Sequence, residues 1–155
     1  MNRRLFARSG ASLIAATLAL AGRRAVAAPA SGHRVAIQVS LGDAGVMNLA
    51  LSNVSNIAEA YAARGEAVAI ELVAYGPGYA MLRADTSPVA KRVEEIRGRL
   101  PFVVFSACQN ARRGMADAEG KTVAQIPELP GVVDVPAGVV RLITLQEQGW
   151  SYIRP

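Results

Sequence analysis

The sequence predicts an α/β domain: a three-layer α/β/α sandwich around a parallel five-stranded sheet. Two observations predict it. From residue 34 onward, short β-rich runs alternate with longer stretches of helical period. The runs at 67–75 and 102–105 are apolar almost throughout, as strands buried on both faces must be. Right-handed crossovers between such strands place helices on the two faces of the sheet.

Each element follows in chain order. Arg34–Ser40 reads as the first strand. Residues 44–63 carry Met47, Leu51, Val54, Ile57/Ala58 and Tyr61 at helical spacing, with Asn48, Ser52, Ser55 and Glu59 facing away. Gly65 stands where that helix stops. Ala67–Tyr75 is the second strand, ended by Gly76-Pro77-Gly78. Ser87-Pro88 supplies an N-cap and a first-position proline. The helix it opens has the stripe Val89, Val93, Ile96 and Leu100 and a Lys91–Glu95 pair. Phe102–Phe105 is the third strand and Val132–Val135 a short fourth. Residues 137–148 form a last helix closed by Gly149, and Trp150–Arg154 a final strand. Residues 116–131 hold two prolines and no clear period, which predicts a loop with at most one helical turn.

The formal charge of +5 and isoelectric point near 10 first suggest nucleic acid or an acidic membrane as partner. The N-terminus removes that suggestion. Arg3, Arg4 and Arg8 form a basic region, residues 10–22 an uncharged, mostly apolar stretch, and Ala25-Val26-Ala27 a small-residue cleavage signal. Residues 1–27 therefore read as an export signal, and 28–33 as a short flexible segment before a domain at 34–155. The apolar stretch is shorter than the roughly 20 residues a membrane span needs. Arg3-Arg4-Leu5-Phe6 resembles the twin-arginine address, so the expected location is the periplasm. The alternative is a retained signal anchored at the inner membrane. Of the 17 basic residues five lie in 1–27 and none of the 12 acids does, leaving 12 against 12. A neutral domain shows no footprint for nucleic acid.

Ligands of open parallel sheets bind beyond the carboxyl ends of the strands. Ser40–Asp43, Gly76–Gly78 and Ser106–Asn110 occupy such places. The third contains Cys108, the only cysteine, between a buried strand and a helix start. A helix N-terminus favours an anion there, and Arg112 and Arg113 follow within five positions, so a nucleophilic thiolate is one reading. A packed, inert thiol is the other, since free cysteine is among the most buried residue types. Gly76, Pro77 and Gly78 could bring backbone close to a ligand, and Asn110 and Asp43 are polar groups on the same edge. Neither Gly76–Gly78 nor the pair Gly42 and Gly45 after the first strand continues into a dinucleotide fingerprint or a phosphate-binding lysine loop, so no nicotinamide, flavin or nucleotide cofactor is expected. His33, the only histidine, falls in the flexible segment, and a His–Cys metal site lacks enough ligands.

Four segments together resemble the DsrE/DsrF-like proteins of sulfur relay, which share the YchN-like fold. "ALSNVSNIAEAY" (50–61) resembles that family's first helix with paired asparagines, here Asn53 and Asn56. "IELVAYGPGYAML" (70–82) is similar to its second strand and Gly-Pro-Gly loop, and "PFVVFSACQNARRGM" (101–115) to its cysteine segment. "VPAGVVRLITLQEQGWSYIRP" (135–155) is similar to its closing helix and strand. The resemblance implies a homotrimer or homohexamer in which Cys108 carries a persulfide exchanged with a thiol protein or a small sulfur compound. One cysteine per subunit suffices for that exchange. Arg112 and Arg113 would then tune the thiolate, and Gly76–Gly78 would shape the pocket. The alternative on the same fold is a non-catalytic oligomeric module that binds a small molecule or serves assembly.

Overall fold

The computed structural model describes residues 32–155. The expected signal over residues 1–27 lies outside the described residues. Five strands and four α-helices alternate: β1 (His33–Val39), α1 (Ala44–Ala62), β2 (Val68–Ala74), α2 (Ala90–Arg99), β3 (Val103–Cys108), α3 (Gln109–Ala118), β4 (Val133–Val135), α4 (Gly138–Glu147) and β5 (Ser151–Ile153). Two 3-10 segments, Gly76–Leu82 and Val123–Gln125, follow β2 and α3. All strands are parallel, in the order β4-β3-β2-β1-β5.

That order fixes which helix lies where. The first three crossovers each step one strand in the same direction, so right-handedness puts α1, α2 and α3 on one face. The fourth runs back from the β4 edge past three strands to β5, so α4 lies on the other face. Side chains confirm the division. Val35, Ile37, Val39, Ile70, Leu72, Ala74, Val103, Phe105 and Ala107 join residues of α1, α2 and α3 in one large core. Their neighbours in alternation, Ala36 and Val73, pack with Leu142 and Leu145 of α4, beside Tyr75 and Trp150. One face is thus covered by three helices and the other by one.

Several local expectations change. His33 is ordered as the first residue of β1, paired with Val68, rather than flexible. Its ring lies 4.2 Å from that of Tyr61, and its Nε2 is 2.9 Å from Glu66. Ser87 lies two residues before the N-cap of α2, and its hydroxyl accepts from the Val89 N–H at 3.3 Å. Its hydroxyl donates to the Met81 carbonyl at 2.6 Å and closes the preceding turn, while α2 starts at Ala90 after an N-cap at Val89 without a side-chain bond. The Lys91–Glu95 pair is not among the described ion pairs. Helix α2 is tied to α1 instead: Arg92 donates to the Asn48 side chain at 2.8 Å and Ser52 at 2.9 Å, and Arg99 to Ser55 at 2.8 Å. The polar stripe of α1 therefore faces a second helix as well as water. Strand β3 runs three residues beyond its expected end, through Cys108, and α3 extends to Ala118 inside the expected loop.

Candidate functional site

Cys108 is the last residue of β3 and the N-cap of α3, at the carboxyl edge of the sheet. Alternation sets its direction. Val103, Phe105 and Ala107 point into the three-helix core, so Ser106 and Cys108 point to the α4 face. Its register partner in β4 is Val135, and its residual exposure is 5%. The Asn110 N–H donates to the Pro136 carbonyl at 3.2 Å, tying the first turn of α3 to the link between β4 and α4.

The two arginines expected beside the thiol are engaged elsewhere. Arg112 donates from Nε and Nη2 to the Ile126 carbonyl at 3.0 and 2.6 Å, and from Nη1 to Glu128 at 3.2 Å. Glu128 also accepts from the Tyr79 hydroxyl at 2.7 Å and from Gln109 at 3.0 Å, and Gln109 reaches Asp134 at 3.0 Å. Tyr79 and Ile126 belong to the three-helix core, so this network occupies the opposite face from Cys108. Burial, reinforced by the bond to Glu128, pushes the Tyr79 phenol well above its ordinary value, so it serves as a neutral donor. Arg113 donates to the side chain of Asn110. The physical reason is geometric: Cys108 ends a strand and projects to one face, whereas Arg112 follows a helical turn later and turns to the other.

The remaining candidate residues have local structural roles. Asp43 is the N-cap of α1, its side chain accepting from the Val46 N–H at 2.9 Å. A Cβ at Gly78 would stand 2.4 Å from the Val39 carbonyl oxygen, so the Gly76-Pro77-Gly78 loop packs backbone to backbone on the end of β1. Gly76 has φ +51°, the left-handed region where glycine is favoured.

One constellation escaped sequence reasoning. Glu71, only 2% exposed, lies in the middle of β2 on the α4 face. Its carboxylate accepts from Ser106 at 2.6 Å and from Arg141 of α4 at 2.7 and 2.6 Å. The signal was present as a lone acid inside the apolar run "AVAIELVAY". A charge buried there needs a partner, and α4 supplies it. Every buried side-chain nitrogen and oxygen among the described residues has a hydrogen-bond partner. A cavity of about 330 Å³ opens between α1 and α2, lined by Ser55, Arg92, Glu95, Ile96 and Arg99 and built from elements other than those that carry Cys108. Among the described residues no three His, Cys, Asp or Glu side chains are grouped to hold a metal ion. No helix among them is long and apolar enough to cross a membrane.

No family model matches the chain, and no curated protein does. A solved structure is similar: a protein of unknown function, MTH1491, from Methanobacterium thermoautotrophicum. The identity is 36%, over 79% of this chain and 99% of that one, with a TM-score of 0.64.

Proposed function

The chain belongs to the same family as MTH1491, and we propose that within this fold Cys108 binds and transfers sulfane sulfur, in the manner of the DsrE/DsrF-like relay proteins that the sequence resembles. The observation that carries the reading is the position of Cys108, closing β3 and capping α3 at the edge where parallel α/β sheets bind ligands. The step balances without a separate oxidant or reductant. The Cys108 thiolate attacks the terminal sulfur of a donor persulfide, a Cys108 persulfide forms, and the donor leaves as its thiolate. An acceptor thiolate then takes the sulfur and restores the Cys108 thiolate. Arg112 acts as a positioning residue that holds the 126–128 segment rather than as a partner of the sulfur. With 5% exposure at Cys108, loading proceeds through local opening of the edge formed by β4 and the start of α4.

In this reading the chain is exported to the periplasm by its twin-arginine signal and assembles as a homotrimer or homohexamer. Replacing Arg3 and Arg4 with lysines leaves the precursor uncleaved in the cytoplasm. Normal processing of that variant contradicts the twin-arginine route.

The burial of Cys108 and the engagement of Arg112 and Arg113 favour a second reading, a non-catalytic assembly module in which the thiol packs. Intact mass after exposure to polysulfide or thiosulfate separates the two. Transfer predicts an added sulfur that is missing in Cys108→Ser. An unchanged mass for the wild type supports the assembly module.

A further inference from the structure

The α4 face of the sheet is unevenly covered. Five parallel strands at about 4.8 Å spacing are far broader than one helix about 10 Å across. Helix α4 runs over the central strands through Leu142 and Leu145, leaving the two edge strands beside it. Among the described residues, eight large apolar side chains are exposed, and five of them gather here. Val139 (52%), Val140 (56%) and Ile143 (50%) form the outer ridge of α4. Val133 flanks it on β4, opposite Ser106 in register, and Tyr152 on β5, opposite Ala36. Exposed Gln146, Glu147 and Gln148 supply a polar rim at the end of the helix.

The charges of this face fit a second copy of itself. Arg141 is already neutralised inside the fold by Glu71, so covering the ridge buries no unpaired cation. At one end of α4 the N-cap is Ala137, which offers no side-chain bond to the open N–H groups. At the other end the last turn holds Glu147 and no basic residue, so its charge lies beside the negative end of the helix dipole. Glu147 makes no ion pair among the described residues. In an antiparallel pair of α4 helices centred between Leu142 and Ile143, each Glu147 stands by the partner's uncapped N-terminus. Both mismatches are relieved by one twofold axis.

We infer that a second copy of this chain docks on the α4 face about a twofold axis, with the Val139–Val140–Ile143 ridges packed antiparallel. The inference rests on the oligomeric part of the reading above and selects within it. A homohexamer of two stacked trimers contains twofold axes, whereas a cyclic trimer contains none.

The test uses protein purified after expression of the full chain. Its mass in solution should correspond to an even number of copies. Val140→Asp/Ile143→Asp, at two exposed positions, should halve that mass while the circular dichroism spectrum stays that of the wild type. As a second measurement, Ile143→Cys in a Cys108→Ser background should form a covalent dimer on mild oxidation, because position 143 meets its own copy near the axis. An odd number of copies, a monomer at tens of micromolar, an unchanged mass in the double variant, or no cross-link at 143 overturns the inference. Sulfur loading at Cys108 is read separately by mass, so a trimer that still takes up sulfur removes the twofold contact and leaves the proposed function intact.

Discussion

Glu71 shows how much a single residue can demand of a fold. A carboxylate at 2% exposure in a central strand is tolerated because Ser106 and Arg141 close around it. Arg141→Met leaves that charge without its cation and should cost about 2–4 kcal/mol in urea unfolding. Adding Glu71→Gln should recover much of the loss, and simple additivity of the two would contradict the coupling. Gly78 is constrained by space. Ala at that position drives a Cβ into the Val39 carbonyl, so a loss above about 2 kcal/mol is expected, with no direct effect on any ligand. Asp43, read from sequence as a polar group of the site, caps α1. Asp43→Ala should lower stability by about 1 kcal/mol and leave sulfur uptake unchanged.

At the scale of elements, the strands were legible where both faces are buried. The runs at 67–75 and 102–105 carry no polar interruption except Glu71, so composition alone marked them. Helix α1 was legible from its period, but the fate of its polar stripe was not. Asn48, Ser52 and Ser55 look solvent-directed in one dimension, and only packing shows that Arg92 and Arg99 reach them. The cysteine segment was half legible. Its place after a strand followed from sequence, but the face it projects to depends on where β3 ends, and three residues of extension decide that. Arg112 and Arg113, close in sequence, were therefore expected beside a thiol that points away from Arg112. The structure assigns Arg112 to the segment after α3 through Ile126 and Glu128. Arg112→Met should speed amide exchange in residues 123–132 at least tenfold. It should change the alkylation rate of Cys108 less than that.

Across the whole molecule, the segment after α3 is also clamped by Arg83, which is 4% exposed. Arg83 donates to Asp85 at 2.9 and 2.8 Å and to Glu119 at 3.2 Å. Its hydrogen bonds hold both carboxyls down at about 2, with Lys121 adding to the effect on Glu119. The folded state thus has the lower pKa, so this contribution is complete above the ordinary carboxylate range and is lost as pH falls toward about 2. The melting temperature should be nearly flat from about pH 7 to 5 and drop below about pH 4.5. Arg83→Met should melt lower at neutral pH and show a shallower acid drop, while an equally steep drop would place the acid sensitivity elsewhere. Three helices on one face and one on the other follow from strand order, and they set Cys108 on the sparsely covered side.

The most direct test of a sulfur-carrying Cys108 is a peptide-resolved mass measurement on protein loaded with polysulfide, before and after excess small thiol. The account predicts an added sulfur confined to the peptide containing Cys108 and removed by the thiol, with Cys108 then free to alkylate. Sulfur found on no peptide, or a Cys108 that after polysulfide is alkylated at full stoichiometry as the plain thiol with no extra sulfur, contradicts it.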